Sequence, residues 1–142
     1  MFSKKESKQL RQQFWTSFGK SFPRKWVRYK TGIKGVALKF DFDLTKAVVA
    51  LDLEGISEER HNLIWNKLLS LKRVLTEDYL PEVIYNIDYQ ADTNKSISRI
   101  YVEKDGVCIH NKESWKDAML FLQEKMDLFE AFLDQYREWL ED

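Results

Sequence analysis

Residues 24–54 read RKWVRYKTGIKGVALKFDFDLTKAVVALDLE, and this stretch decides the fold. Its second part contains two runs, 36–42 and 47–53, in which apolar residues recur at every second position, as they do in strands. The intervening segment, residues 43–46, has the composition of a tight turn. We therefore predict a β-hairpin. The second run is also apolar at Val48 and Ala50, so its strand is expected in the interior of a sheet.

The register of this hairpin determines which charged side chains share a face of the sheet. If Phe42 pairs with Ala47, one face carries four charged residues: Lys39, Asp41, Asp52 and Glu54. Hard divalent cations take oxygen ligands, so Asp41, Asp52 and Glu54 are a candidate metal site, with Lys39 beside it. The alternative is that these side chains form the hydrated face of the sheet.

Three helices are predicted, each preceded by a residue that suits a helix N-cap. These residues are Ser3, Ser57 and Asn111. The last helix carries an apolar stripe almost to the C-terminus, and at 1.5 Å per residue it would span roughly 45 Å. A helix of this length either wraps the sheet or offers its far end to a partner. We therefore expect a homodimer through the C-terminal helix as one candidate assembly.

Further strands are predicted on both sides of the hairpin. The first is expected to begin at Trp26 to Tyr29, and others follow at 83–89 and 97–103. An Asp-Gly turn signal then leads into a last strand at 107–110. The predicted fold class is α+β, in one domain spanning residues 1–142. It has an N-terminal helix, a mostly antiparallel sheet of five to six strands, a middle helix and a long C-terminal helix.

The net charge of zero conceals an uneven distribution. Residues 1–40 carry eleven Lys or Arg and one acid, whereas residues 41–142 carry twelve basic and twenty-two acidic residues. Such asymmetry is a hint of nucleic-acid or membrane contact. The alternative is that the two parts neutralise each other within the fold. For contact with DNA or RNA, the candidate phosphate ligands and stacking residues are Arg24, Lys25, Trp26, Arg28, Tyr29, Lys30 and Lys34.

Several kinds of chemistry are excluded or disfavoured by composition. There is no phosphate-cradling glycine loop and no Gly-x-Ser-x-Gly elbow. One cysteine and two histidines are too few for a typical zinc site, and Cys108 is expected to be a core residue. His61 is expected on the surface. A lone cysteine, a polar N-terminus and no long apolar run predict a cytoplasmic protein without a membrane partner. No cofactor is expected, except Mg²⁺ if the acids are catalytic.

One run of residues carries a resemblance to a known family. Residues 26–35, Trp-Val-Arg-Tyr-Lys-Thr-Gly-Ile-Lys-Gly, resemble an uncharacterised bacterial domain of unknown function, as does the later Ile100-Tyr-Val-Glu segment. The resemblance covers nearly the whole chain. Members of that family look like small stand-alone proteins or tails attached to nuclease-like domains, which implies a connection with DNA. No catalytic residue is carried over.

The order of elements is also similar to that of restriction-endonuclease-like nucleases. Those enzymes place an acid on one strand and an acid-x-Lys run on the next. In this chain Asp41 or Asp43 stands for the first acid and Asp52-Leu-Glu54 for the run. Glu54 thus occupies the place of the lysine that helps to activate water, although Lys39 is expected on the same face. The resemblance implies a degenerate nuclease.

Three hypotheses follow. The first is a non-catalytic nucleic-acid-associated module that uses the basic N-terminal third. The second is a metal-dependent nuclease that uses Asp41, Asp52 and Glu54, with Lys39 as a substitute for the missing lysine. The third is a dimeric protein-interaction domain.

Overall fold

The computed structural model describes residues 2–24, 26, 31–91 and 96–141. The helices are α1 (Lys4–Ser21), α2 (Glu58–Ser70), α3 (Lys72–Asp78) and α4 (Trp115–Glu141), the last preceded by a short 3-10 turn at Lys112–Ser114. The strands are β1 (Val36–Phe42), β2 (Lys46–Leu53), β3 (Ile84–Gln90) and β4 (Ser96–Asp105). Among the described residues, no helix is both long enough and apolar enough to cross a membrane.

The four strands form one antiparallel sheet in the order β1-β2-β4-β3. The predicted hairpin register is confirmed, because Phe42 lies opposite Ala47 and Lys39 lies opposite Ala50. The interior position of β2 is also confirmed. Both Val48 and Ala50 are buried although they alternate with the residues of the main core, since β2 has a neighbouring strand on each side.

The main hydrophobic core lies between the helices and one face of the sheet. The face of β2 that enters this core carries Ala47, Val49, Leu51 and Leu53. Phe14 of α1 packs against Phe42 of β1, with a centroid distance of 4.6 Å, and against Trp115 of α4 at 5.3 Å. The same core contains fully buried residues of α2 and α4, such as Leu68 and Phe129. The opposite face of the sheet carries the charged residues considered below.

The three predicted helices are capped at their N-termini by the predicted residues. Ser3 accepts a hydrogen bond from the Glu6 amide while the Glu6 side chain accepts one from the Ser3 amide, which completes a capping box. Ser57 accepts from the amide of Arg60 at the start of α2. Asn111 caps the 3-10 turn that leads into α4. The middle helix is broken at Leu71 into α2 and α3.

The predicted strand count of five to six is wrong for the described part of the chain, which contains four strands. Residues 107–110 form a loop that ends in a turn at 109–110, instead of a strand. The Ser114 hydroxyl bonds the Cys108 backbone, and the Trp115 indole donates to the Ile109 carbonyl, so these backbone groups need no ladder partner. Trp26 lies outside any strand, and the rest of the predicted first strand, residues 27–30, falls outside the described residues.

Helix α4 is 27 residues long, which corresponds to about 40 Å. Its apolar stripe is buried within the domain, at positions that include Leu122, Met126 and Phe129. Leu120 and Trp139 are the large apolar residues of α4 that remain exposed. The stripe is thus used inside the chain, and a homodimer through α4 stays a prediction.

Candidate functional site

The charged face of the sheet contains an ion-pair network centred on Asp52. The Asp52 side chain is fully buried, and its two oxygens accept hydrogen bonds of 2.8 and 2.9 Å from Arg99 on β4. Lys39 on β1 places its Nζ 3.0 Å from Asp52 Oδ2 and 2.5 Å from Glu54 Oε1. The predicted grouping of Lys39, Asp52 and Glu54 is therefore observed. The Asp41 side chain, one pair step further along β1, is exposed.

The cations in this network hold their charge. Burial opposes protonation of Lys39, but hydrogen bonds to Glu54 and Asp52 outweigh it and raise the pKa of Lys39. Burial likewise acts against the charge of Arg99, and its bonds to Asp52 raise the pKa of Arg99 above the usual value. Arg99 also stacks 4.4 Å from the centre of the Tyr89 ring. Asp52 therefore lies between two cations, one of which it shares with Glu54.

This arrangement does not fit a bound divalent cation. A metal would need the Asp52 oxygens that Arg99 and Lys39 already bind. In the described ranges no group of three or more His, Cys, Asp and Glu side chains could hold a metal ion. The magnesium site at Asp41, Asp52 and Glu54 and the nuclease hypothesis stay predictions, and the geometry adds no support to them.

A second polar cluster joins α2 to the bulged region of β3. His61 Nε2 lies 2.6 Å from the Ser98 hydroxyl, which lies 2.6 Å from the Ile87 carbonyl. The carbonyl only accepts, so the one hydroxyl hydrogen of Ser98 is donated to it and Ser98 accepts from the Nε2–H of His61. His61 is therefore a structural donor, half-buried against Trp65, and the expectation of a plain surface histidine is wrong.

A cavity lined by several aromatic side chains lies between α1 and β1 and has a volume of about 530 Å³. It is lined by Arg11, Trp15, Phe18, Gly19, Arg24, Trp26, Phe40, Asp41 and Phe42. The cavity lies along the flank of α1. Phe18 is on the face of the helix that packs into the core, and Arg11 and Trp15, four residues apart, lie together beside that face. Phe40 closes the base from β1, half-buried against the core.

Trp26 is covered on its faces by other side chains. Its ring is stacked on Phe18 with a centroid distance of 5.7 Å and an interplanar angle of 19°. The Arg24 guanidinium lies 3.9 Å from the centre of the same ring. Phe40 meets the ring edge-on at 5.3 Å. Trp26 thus supports Arg24 and the cavity wall instead of offering a bare stacking surface.

Arg24 is paired with acids of α4. Its Nη1 lies 2.5 Å from Asp127, and its Nη2 bonds Glu130. For this residue the alternative interpretation of the charge asymmetry is therefore correct, because a cation of the basic third is neutralised by the acidic part of the chain. The Arg24 side chain nevertheless lines the cavity and is 39% exposed.

A second cavity, of about 770 Å³ and more open, adjoins the first along α1. It is lined by Lys8, Arg11, Gln12, Trp15 and Thr16. Arg11 and Trp15 line both cavities, and we call the two adjoining cavities together the α1 groove. Arg11 donates to the Ser7 hydroxyl at 3.1 Å, and no acid partner of Arg11 lies within the described part of the chain.

The sequence did not single out Arg11 or Trp15 as site residues. The signal available was their spacing, because a basic and an aromatic residue at positions i and i+4 of a helix share one face. Of the residues predicted to contact nucleic acid, Arg24 and Trp26 lie in the α1 groove, and the predicted metal ligand Asp41 lines it as well. Lys25, Arg28, Tyr29 and Lys30 fall outside the described residues. Lys34 lies elsewhere, exposed in the turn before β1.

The Thr-Gly-Ile-Lys-Gly run at 31–35 has a structural role in this turn. Thr31 is buried, and its hydroxyl donates to the Val36 carbonyl at 2.8 Å. Gly32 and Gly35 both have positive φ, at 83° and 86°. Arg137 of α4 donates to the Thr31 carbonyl, which ties the turn to the last helix.

A family model described as Domain of unknown function (DUF4268) matches residues 10–137. The chain belongs to this family. The DUF4268 match extends from α1 to near the end of α4 and includes every residue that lines the 530 Å³ cavity. Comparisons with curated proteins and with solved structures return no match. The attachment to nuclease-like domains and the restriction-endonuclease-like architecture stay predictions.

Proposed function

We propose that this DUF4268 domain binds single-stranded nucleic acid in the α1 groove. The observation that carries the proposal is the position of Trp15 and Arg11, which both border the two adjoining cavities. An aromatic ring offers a stacking surface to any base, and a neighbouring guanidinium binds the phosphate that follows it. The proposal retains the basic N-terminal third as the interface, but moves its centre from residues 24–34 to α1.

The size of the groove suits a single strand. Ligand cavities in proteins typically enclose about 300–1,000 Å³, and the cavity of about 530 Å³ beside Trp15 lies in this range. It has room for one nucleotide whose base is turned away from its neighbours. In a duplex the bases are stacked on each other and have no free face for Trp15, so a single strand is the expected ligand.

The charge of α1 favours a polyanion. Its basic residues are Lys4, Lys5, Lys8, Arg11 and Lys20, and Glu6 is its one acid. The Glu6 carboxylate is engaged in the capping box and lies at the end of the helix remote from the cavity between α1 and β1. The groove-lining residues include the cations Lys8, Arg11 and Arg24 and the acid Asp41, so a strand that follows the groove meets mainly cations.

The test is fluorescence anisotropy with labelled single-stranded DNA and RNA and a duplex of equal length, at low and moderate salt. We expect the single strands to bind and the affinity to fall as salt rises, because phosphate contacts release counterions. Arg11→Ala should weaken binding by roughly threefold to tenfold, and Trp15→Leu should weaken it by about 5- to 150-fold, since stacking contributes about 1–3 kcal/mol per base.

The matched control is Arg73→Ala. Arg73 lies on α3, its side chain is 86% exposed, and it pairs with Glu77, so its loss changes the net charge as Arg11→Ala does. It should leave binding unchanged. Equal affinities for the Arg11 and Arg73 variants would place binding outside the groove, and absence of binding at low salt would overturn the proposal.

A further inference from the structure

Arg24 is the point where the α1 groove meets the acidic face of α4. Its guanidinium is stacked on Trp26 and bonds Asp127 and Glu130, while its side chain lines the cavity beside Trp15. Two carboxylates of α4 thus compete with any anion in the cavity for the guanidinium of Arg24.

From this arrangement we infer that Asp127 and Glu130 form an electrostatic latch on Arg24, which a phosphate of the bound strand displaces. The inference rests on the proposed function and names a regulatory element of the same site. In the closed state, Asp127 and Glu130 bind the Arg24 guanidinium and repel phosphates. When a phosphate takes the place of a carboxylate, Arg24 becomes part of the binding surface.

The carboxylate partners of Arg24 can be displaced by a phosphate. Arg24 and Asp127 are each 39% exposed, so their ion pair is open to water and weak, whereas Glu130 is 14% exposed and is the firmer partner of the two. A phosphate competes well for the same donors, because guanidinium–phosphate hydrogen bonds are charge-assisted and often two-pronged. Trp26 holds the guanidinium plane beneath it during the exchange, so Arg24 can change partners without leaving the cavity wall.

The test uses the full chain and fluorescein-labelled oligothymidylate. The double variant Asp127→Asn and Glu130→Gln removes both charges but keeps the shapes of the side chains. We expect it to bind about threefold to tenfold more tightly than the wild type at low salt, because Arg24 then binds phosphate without competition from two carboxylates. In the same background Arg24→Ala should abolish this gain, which shows that it acts through Arg24.

The control is Glu138→Gln, an exposed acid eleven residues beyond Asp127 on α4. It lies about 16 Å further along the helix, beyond the screening length of about 10 Å at 0.1 M salt. It should leave affinity unchanged. Circular dichroism and thermal unfolding establish that each variant is folded.

The outcomes separate the latch from the proposed function. If the wild type binds and the double variant binds equally or less tightly, the latch is wrong while the proposed function stands. If only the double variant binds, both are supported, with the latch closed in the wild type. If neither protein binds at low salt, both are overturned.

Discussion

Arg99 binds Asp52 across neighbouring strands through two parallel hydrogen bonds, of 2.8 Å from Nε to Oδ1 and 2.9 Å from Nη2 to Oδ2. The two residues are direct register partners on β4 and β2. A shift of one residue between these strands would turn Asp52 into the hydrophobic core and separate it from Arg99. The pair therefore specifies the register of the two central strands as well as neutralising a buried carboxylate.

We predict that Asp52→Asn lowers the free energy of unfolding by about 3–5 kcal/mol, because it leaves Arg99 without its buried counter-charge and Lys39 with Glu54 alone. Urea denaturation followed by circular dichroism measures this loss. Glu77→Gln, which breaks the exposed pair with Arg73 on α3, should change stability by less than about 1 kcal/mol. If both variants were equally stable, the network around Asp52 would have no structural role.

Two glycine substitutions should have opposite effects on the stability of the fold. Gly35 has φ of 86°, and a Cβ built on it would overlap the Ile56 side chain, so Gly35→Ala should destabilise the fold by roughly 2 kcal/mol or more. Gly19 lies inside α1 with nothing near the position of its Cβ. Gly19→Ala should raise stability by about 0.5–1 kcal/mol. Thermal unfolding of the two variants measures both effects. If the unfolding midpoints of both variants shifted in the same direction, the result would contradict this account.

Thr31→Val should cost about 1–3 kcal/mol, because the buried hydroxyl that bonds the Val36 carbonyl is lost while that carbonyl stays buried. The matched change Thr16→Val, at an exposed position of α1, should stay within about 0.5 kcal/mol. Chemical denaturation of both proteins gives the comparison. A loss at Thr16 as large as that at Thr31 would show that valine itself, not the missing hydrogen bond, is responsible.

We predict that Asp43 makes the stability of the fold depend on pH. Burial acts to raise its pKa, but hydrogen bonds from the amides of Thr45 and Lys46 outweigh burial and lower the pKa of Asp43. A lowered folded-state pKa contributes stability above the unfolded value, roughly 4, and this stability is lost as pH falls through the folded-state value. The stability difference between the wild type and Asp43→Asn should therefore be full at about pH 6 and shrink below about pH 4.

Urea denaturation across this pH range measures the difference. Asp117→Asn, which removes an exposed acid of α4, is the control for the loss of one charge and should show a smaller change with pH. A difference for Asp43→Asn that grew toward acid pH would contradict the assigned sign.

The hairpin and its register were predictable because both depend on local periodicity. Alternation over 36–42 and 47–53 sets the inward face of each strand, and the short turn leaves one pairing that keeps both faces consistent. The prediction failed at residues 107–110 for a related reason. Apolar content suggested a strand there, but the side chains of Ser114 and Trp115, which arrive with the next helix, bond the backbone of this segment instead.

The sequence by itself determined the helix caps, the antiparallel hairpin, the interior position of β2 and the meeting of Lys39 with Asp52 and Glu54. Each follows from residues close together along the chain. Tertiary structure alone decided that Arg24 bonds acids 103 and 106 residues away, and that Trp15 lines both cavities of the α1 groove while Trp26 lines one of them. The physical reason is that periodicity identifies the buried face of a helix or strand, whereas the partners of the residues at its margin depend on how α1 and α4 lie against the sheet.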